Sequence, residues 1–360
     1  MNSFVTLSKS DADFQRYLLG TFSSEKIALP VQSLNVFKSD EQITFQVKDI
    51  SEIPKVSFFT KWFVLLKVKN LIWLLWPSFY LISQSYLDES MLDPWLVVLT
   101  IASCFFAFAS LSLRNDFRDH ITGTDRVFSK AGSRAIQKGW FKAYQIKRFS
   151  VIFFILASVL AVPVIFAVPK ISIYILFFII FSVFGFILST TSAQFKNFSE
   201  WSIFWMVGPL FAMGFQTILI GYFDIESIGI GILNGYLAFL YIQIKNFRDI
   251  FELGQNQLPL TINQLGFDKS LFRIKKLWFS YFCMHFIFMW VYFDSYSLLL
   301  FTLMNFAIYY LILKKSEQIR SPLGSQIQLF YNFNRYCISS LLFLWMIQNL
   351  LIIVSSKFYE

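Results

Sequence analysis

The sequence predicts an all-α protein, a polytopic membrane bundle of about nine transmembrane helices with a cytoplasmic N-terminus. Three observations carry this prediction. Apolar and aromatic residues make up 56% of the 360 residues, and 46 of them are Phe, which is far too apolar for a soluble domain. Several apolar segments have roughly membrane-spanning length. The basic residues fall almost entirely on one side of those segments.

The first 57 residues are expected to form a cytoplasmic N-terminal extension. The first apolar run lies beyond residue 50 and lacks the short basic region and cleavage site of a signal peptide. Residues 42–47 alternate polar and apolar side chains and predict one short strand, but the segment holds too little apolar sequence to predict a folded domain. Residues 58–67 combine Phe, Trp and Lys as an interfacial helix does, and they open the predicted transmembrane domain, residues 58–360.

The charge pattern orients the predicted spans. With the N-terminus inside, all but Lys170 and Lys357 of the 31 Lys and Arg lie on the cytoplasmic side. The net charge of +9 is therefore interpreted as a topology signal and an attraction to anionic lipid, with no nucleic acid as partner. We expect a multi-pass protein of the bacterial inner (plasma) membrane. The predicted spans are 70–86, 95–113, 149–167, 171–190, 201–223, 226–244, 277–293, 295–313 and 337–354.

Two long cytoplasmic loops, residues 114–148 and 245–276, follow the second and sixth predicted spans. Each begins with the same theme, a basic residue and Asn followed by Phe-Arg-Asp. Long charged loops at matching places are more typical of function than of connection. Carboxylates are costly inside a bilayer and useful just outside it, so the duplication indicates one shared, cation-loaded site.

The first loop carries Asn115, Asp116, Asp119 and Asp125. If the helix of the second span continues, Asp116 and Asp119 share a face, and Gly123 offers a break that folds Asp125 back toward them. Carboxylate and amide oxygens suit Mg²⁺, which usually shares phosphate oxygens of a substrate. The alternative is a solvated loop whose acids and bases pair with one another. For His120 two possibilities are equally open: one is a contact with phosphate or a role as a base, and the other is a side chain that points away.

At this point the motifs become specific. The run from Asn115 to Asp125, Asn-Asp-x2-Asp-x5-Asp, resembles the first aspartate-rich motif of the UbiA-type intramembrane prenyltransferase superfamily, with the spacing of the branch that prenylates dihydroxynaphthoate in menaquinone synthesis. Residues 134–139, Arg-Ala-Ile-Gln-Lys-Gly, are similar to another run of that branch. Residues 67–70 resemble the basic-Pro-Lys-Asn start of the first helix, without its proline. Residues 246–250 resemble the second motif, and the resemblance covers roughly residues 60–354.

The resemblance implies an enzyme that transfers alkyl groups other than methyl. Its expected reaction is the Mg²⁺-dependent transfer of a polyprenyl chain from a polyprenyl diphosphate to an aromatic, quinone-precursor-like acceptor within the lipid bilayer. Asp116, Asp119 and Asp249 are the expected catalytic residues. The expected metal ligands are Asn115, Asp116, Asp119, Asp125, Asp249 and Glu252. The expected diphosphate contacts are Lys69, Asn70, Arg126, Lys130, Arg134, Lys138, Lys245 and Arg248.

The second motif departs from the family pattern. The position that usually holds another Asp, four residues after Asp249, is Leu253 here. Glu252 shares a helix face with Asp249 and is the expected replacement. Two alternatives stay open. One is a polyprenyl transferase that acts on a non-aromatic acceptor such as a sugar phosphate, and the other is a non-catalytic membrane protein that binds isoprenoids.

Overall fold

A computed structural model describes residues 3–36, 38–87, 93–127, 132–177, 180, 196–251, 264–292, 295–321 and 325–359. The chain begins with a small antiparallel sheet of order β1-β3-β2. Its strands are β1 (Ser3–Ser8), β2 (Lys26–Leu34) and β3 (Gln42–Asp49), and the helix α1 (Phe14–Leu19) lies between the first two in sequence. The predicted strand at 42–47 is confirmed as the central strand β3.

The N-terminal extension buries a core of its own, so the all-α prediction was wrong for this part of the chain. Phe14, Leu18, Ala28, Ile43 and Phe45 are buried together. One of the partly buried side chains packed against this core, Ile121, comes from the first long loop. The apolar surface of residues 1–57 was underestimated because part of its partner lies far away in the sequence.

The rest of the described chain is mostly helical. A helical turn at Val68–Leu71 precedes α3, and residues 171–177 are also helical. The helices are α2 (Phe58–Leu65), α3 (Ile72–Leu87), α4 (Pro94–Thr122), α5 (Thr124–Val127), α6 (Ala143–Ala167), α7 (Lys196–Val207), α8 (Pro209–Ile220), α9 (Ile225–Arg248), α10 (Phe267–Tyr292), α11 (Ser295–Ser316) and α12 (Ser325–Tyr359).

Four stretches of the described chain are long and apolar enough to cross a membrane, by length and composition. They are Pro94–Thr122, Ala143–Ala167, Trp201–Ile220 and Ile225–Arg248. They coincide with four of the predicted spans. The total of nine spans and the cytoplasmic N-terminus stay predictions.

The chain divides into two units. The first comprises Met1–Leu71 and Ile101–Val162, and the second comprises Ile72–Thr100 and Pro163–Glu360. The boundary predicted at residue 57 stays a prediction. In the first unit a buried cluster joins α2 and α4 to residues 135–146, in the second half of the first long loop, and this cluster holds those residues in place. Its members are Leu65, Leu113, Ala135, Ile136, Ala143 and Ile146.

In the second unit, one buried side-chain amide donates hydrogen bonds to backbone carbonyls at two places where helical hydrogen bonding is interrupted. Pro77 lies inside α3 and has no N–H to offer the carbonyl of Trp73, four residues earlier. The chain also breaks at Gly208, between α7 and α8. The Asn234 Nδ2 of α9 donates to the Trp73 oxygen at 2.9 Å and to the Val207 oxygen at 2.6 Å. In a membrane, where water cannot satisfy a carbonyl, such a donor makes both interruptions tolerable.

Candidate metal and diphosphate site

Two acidic side chains of the first unit face each other across a glycine. A Cβ placed on Gly132 would lie 3.0 Å from Asp125 Oδ1 and 3.4 Å from Asp116 Oδ1. Both aspartates are 2% exposed. Gly132 has a φ of +67°, a backbone conformation that side chains rarely adopt. The absence of a side chain at this position therefore leaves a small space between two buried carboxylates.

Asp116 lies on α4 and has a cationic partner. The Lys67 Nζ donates to Asp116 Oδ1 at 2.6 Å, and the backbone N–H of Ser133 donates to Asp116 Oδ2 at 3.3 Å. The Asp116 side chain is 3% exposed and that of Lys67 is 23% exposed. Lys67 itself has a φ of +50°. A residue other than glycine in this conformation is under strain, and such strain clusters at functional sites.

Asp125 has a hydrogen-bond partner at one of its two oxygens. Gln137 Nε2 donates to Asp125 Oδ2 at 2.9 Å, while none of the residues that the structure describes donates to the buried Asp125 Oδ1. Burial, and next the charge of Asp119, raise the pKa of Asp125 to about 7; Asp116 adds to the rise, and Gln137 and Lys67 oppose it. A buried carboxylate with this surplus of negative charge is stabilised by a cation.

The geometry of Asp125 follows from the sequence around it. Helix α4 ends at Thr122, and Gly123 turns the chain with a φ of +90° before the short helix α5. The Arg134 Nη1 donates to the Asp125 backbone oxygen at 2.9 Å and ties this turn to the segment that carries Gly132. The break predicted at Gly123 is present.

Other predicted residues of the first loop are placed around this pair or engaged elsewhere. Asn115 Nδ2 donates to Asp119 Oδ2 at 2.8 Å, and Asn115 is exposed. Lys138 lies 4.5 Å from the Trp140 ring centre. Arg126 donates through Nη2 to Glu41 at 2.5 Å and through Nη1 to the His120 oxygen at 2.6 Å.

The remaining predictions for this unit fall in three different places. His120 Nε2 lies 3.0 Å from the Leu18 oxygen, so its ring is directed at the N-terminal extension. Lys69 is exposed, and the Asn70 N–H donates to the Lys67 oxygen at 2.7 Å in the turn that precedes α3. Lys130 lies outside the described residues.

The second acidic cluster lies in the other unit, at the end of α9. Asp249 follows the helix, and its two oxygens accept from Arg248 Nε at 2.5 Å and Arg248 Nη2 at 2.7 Å. The guanidinium of Arg248 also lies 4.5 Å from the Tyr331 ring centre. Lys245 occupies the last turn of α9. Glu252 and Leu253 lie outside the described residues.

Sequence reasoning missed the residues that support the two carboxylates. Lys67, Gln137, Gly132 and Ser133 were not assigned these contacts. Gln137 belongs to the run 134–139 that the family resemblance had already marked, so that motif was the available signal. Lys67 is 49 residues away from Asp116 in sequence and no local spacing connects the two.

The donor chemistry fits Mg²⁺ that is shared with a phosphate ligand. Within the described residues, no group of three or more His, Cys, Asp or Glu side chains is arranged to hold a metal ion. Mg²⁺, however, is usually bound by one or two carboxylates together with waters and substrate phosphates. The orphaned Asp125 oxygen, the Gly132 space and the Asp116 carboxylate supply that kind of partial site.

Comparisons with known proteins connect this site to a fold. No protein-family model and no curated protein matches the chain. Among solved structures, a digeranylgeranylglyceryl phosphate synthase has a TM-score of 0.54 and 19% identity, over 81% of this chain and 98% of that chain. A UbiA homologue from Archaeoglobus fulgidus, bound to DMAPP and Mg²⁺, has a TM-score of 0.52 and 14% identity, over 78% and 99%. The same homologue bound to GPP and Mg²⁺ scores 0.51.

These identities are low, and the likeness covers nearly the whole of each neighbour. Together with four apolar helices, it supports an integral membrane protein. The chain therefore has the fold of the UbiA-type membrane proteins.

Proposed function

We propose that this protein catalyses the Mg²⁺-dependent transfer of a polyprenyl chain from a polyprenyl diphosphate to a small acceptor within the membrane. The observation that carries the proposal is the buried pair of Asp116 and Asp125 beside Gly132, with one oxygen of Asp125 that receives no hydrogen bond from the described part of the chain. One solved protein of the same fold was bound to Mg²⁺ together with DMAPP in one structure and GPP in another, and both are prenyl diphosphates.

The residues of the first unit have different proposed roles in binding the metal and the diphosphate, and each role follows from the chemistry of the side chain. Asp116 and Asp125 are the proposed metal ligands, and Asn115 and Asp119 complete the set predicted from the sequence. A bound Mg²⁺ neutralises the diphosphate and makes it a better leaving group. Lys67 adds a cation beside Asp116, where an ammonium can also bind a phosphate oxygen. Gln137 orients Asp125 by its hydrogen bond to Oδ2.

The proposed reaction is a substitution at the allylic carbon. The C–O bond to the diphosphate breaks and its electron pair leaves with the diphosphate. An electron pair of the acceptor forms the new bond to the allylic carbon, and the proton displaced from the acceptor passes to solvent or to the released diphosphate. Helices that exclude water from the carbocation prevent simple hydrolysis.

The second acidic cluster is assigned to the same ligand on the sequence duplication alone. Asp249 is the last residue of the Asn-Phe-Arg-Asp sequence in the second loop, and Lys245 and Arg248 are the basic residues near it. Glu252 is proposed as the replacement for the missing aspartate. Replacing Leu253 by Asp would return a carboxylate to the face of Asp249 if the segment is helical.

For the acceptor we propose an aromatic quinone precursor, on the motif resemblance. One comparison favours a second candidate. The neighbour with 19% identity is a digeranylgeranylglyceryl phosphate synthase. The name of its product contains isoprenoid groups together with glyceryl phosphate. A non-aromatic, phosphate-bearing acceptor is therefore the alternative substrate class, and a sugar phosphate belongs to it.

A non-catalytic role in isoprenoid binding is the competing function. Two observations favour it: Leu253 stands at the position of the second aspartate, and Asp249 is engaged by both nitrogens of the adjacent Arg248. Such a protein would bind a prenyl diphosphate without releasing diphosphate.

The deciding experiment measures diphosphate release by the purified full chain. Polyprenyl diphosphates of several lengths are supplied with dihydroxynaphthoate, glyceryl phosphate or a sugar phosphate, with Mg²⁺ or with EDTA. We expect release that needs Mg²⁺ and one acceptor class, and a loss of roughly 100-fold or more in Asp116→Asn. Asp268→Asn, at an exposed carboxylate on α10, is the control and should keep full activity. Binding of the donor with no release under any condition would favour the non-catalytic role.

A further inference from the structure

The N-terminal sheet reaches the turn that carries Asp125 through a buried ion pair. Glu41 lies directly before β3 and is 3% exposed. Its Oε1 accepts from Arg126 Nη2 at 2.5 Å, and both side chains of the pair are 4% exposed. Arg126 is the residue after Asp125. The sheet therefore fixes the position next to a proposed metal ligand.

The same guanidinium spans the break at Gly123. Arg126 Nη1 donates at 2.6 Å to the backbone oxygen of His120, which belongs to the last turn of α4. Glu41 thus holds a group that connects the helix of Asp116 to the turn of Asp125. A surface ion pair contributes little to stability, whereas removing one partner of a buried pair leaves the other as an uncompensated buried charge.

Further contacts bring the same two segments together. His120 Nε2 lies 3.0 Å from the Leu18 oxygen of α1. Ile121 packs on the core of the sheet. A Cβ on Gly123 would lie 2.6 Å from Val36 Cγ1, so only a glycine allows this approach. His120 and Ile121 at the end of α4, and Gly123 directly after it, therefore lie against the N-terminal extension.

A third group of contacts lies at the far end of the loop. Lys142 Nζ donates to the Ser23 oxygen at 2.5 Å and to the Ser24 oxygen at 3.2 Å. A Cβ on Gly139 would lie 2.9 Å from Ile53 Cδ1. Because the extension contacts the loop both before and after Gly132, it restrains both segments that border the Gly132 space.

We propose that the N-terminal sheet is a built-in part of the metal and diphosphate site and that Glu41 is a positioning residue, which sets the affinity of the site for a divalent cation by orienting Asp125 through Arg126. This inference rests on the proposed function and adds to it a role for the extension. Glu41 itself touches neither metal nor substrate. We expect Glu41 to affect the affinity for the metal, as other groups do that orient a metal ligand without touching the metal.

The test measures Mn²⁺ binding by electron paramagnetic resonance, with inorganic pyrophosphate present and the full chain in detergent. Glu41→Gln keeps the shape of the side chain and removes its charge. We expect its dissociation constant for Mn²⁺ to rise roughly 10- to 100-fold. A purely structural role would instead lower the fraction of molecules that bind, with unchanged affinity in those that do, and that result would overturn the inference.

Asp13→Asn is the matched control. Asp13 belongs to the same extension and pairs with Arg16 at 2.8 Å, but its side chain is 55% exposed and that of Arg16 is 61% exposed. Its Mn²⁺ affinity should equal that of the wild type. Wild-type affinity in both Asp13→Asn and Glu41→Gln would reject the positioning role and leave the proposed function intact.

A paired substitution decides the matter if Glu41→Gln fails to fold. Glu41→Leu with Arg126→Met removes both charges together, and replacing a buried ion pair by apolar side chains often preserves stability. We expect this variant to fold and to bind Mn²⁺ weakly, and wild-type affinity would overturn the inference. If the wild type itself binds no Mn²⁺ with pyrophosphate, the proposed metal site fails and the positioning role fails with it.

Discussion

Gly132 is the residue whose lack of a side chain matters most to the site. Its Cβ position lies within 3.4 Å of one oxygen from each of Asp116 and Asp125. A methyl group there would fill the space proposed for the metal. It would also strain the backbone, because the φ of +67° suits glycine.

The first prediction separates these two effects with a matched pair of variants. Gly132→Ala and Gly266→Ala both place a side chain at a positive φ, and each should lose about 1 to 2 kcal/mol of unfolding free energy. Gly266 has a φ of +76°, but no atom of the residues that the structure describes lies within 4 Å of its Cβ position. Only Gly132→Ala should lose Mn²⁺ binding, measured by titration. Equal binding by the two variants would exclude the space beside Gly132 as the metal site.

The second prediction concerns Lys67, which neutralises Asp116 at 2.6 Å. Lys67→Met leaves a buried carboxylate without its cation, and it should cost about 1 to 3 kcal/mol of stability in the absence of metal. Mg²⁺ replaces the missing charge, and a ligand that binds the folded state raises its stability. The melting temperature of Lys67→Met should therefore rise more on addition of Mg²⁺ than that of the wild type.

The control for this experiment is Lys55→Met, which removes an exposed lysine of the same unit. Its response to Mg²⁺ should match that of the wild type. A response of Lys67→Met no larger than that of the control would mean that Mg²⁺ does not bind beside Asp116.

At the scale of secondary structure, the break between α7 and α8 depends on close approach of α9. Gly231 and Gly235 of α9 have no room for a Cβ, since it would lie 2.7 Å from Pro209 Cα and 2.4 Å from the Phe204 oxygen. Small residues spaced by four allow helix backbones to meet in a membrane. Between them in sequence lies Asn234, which bonds the two carbonyls that the interruptions release.

The third prediction is that Asn234→Ala destabilises the protein because two buried carbonyls lose their donor. The expected loss is about 1 to 3 kcal/mol. Asn332→Ala is the matched control. Asn332 Oδ1 accepts a hydrogen bond from Gln328 Nε2 of the same helix at 3.2 Å, and a pair of this kind contributes about 0.2 to 0.5 kcal/mol. Thermal unfolding in detergent compares them. Equal losses would show that the Asn234 amide is not required at the helix breaks.

At the scale of the whole molecule, the fourth prediction concerns the membrane topology and follows from the distribution of basic residues. With the N-terminus inside, a cysteine at Thr122 should react only from the cytoplasmic side and a cysteine at Ile225, between the fifth and sixth predicted spans, only from the opposite side. Ile225 is 76% exposed, and Thr122 is exposed at the end of α4. Labelling with a membrane-impermeant reagent, in a chain whose Cys104, Cys283 and Cys337 are replaced, provides the measurement. Reaction of both positions from one side would contradict the nine-span topology.

Local rules predicted the helical character of the spans and the turn at Gly123, because a glycine after a helix ends it within a few residues. They failed where the partner is distant in sequence. Ile121 packs against the N-terminal core, and Lys67 donates a hydrogen bond to Asp116. The roles of Asp249 and Glu252 as ligands stay predictions, and so do the number of spans and the acceptor.

The ion pair between Glu41 and Arg126 also affects when, during synthesis of the chain, the N-terminal sheet can gain its contacts. The two residues are 85 positions apart. At about 5 to 20 residues per second, the ribosome makes Arg126 roughly 4 to 17 s after Glu41. Strand β3, helix α3 and all of α4 are made during that interval, and Ile121 is made only a few residues before Arg126. The N-terminal sheet therefore gains its last contacts only after α4 has been made, well after its own strands.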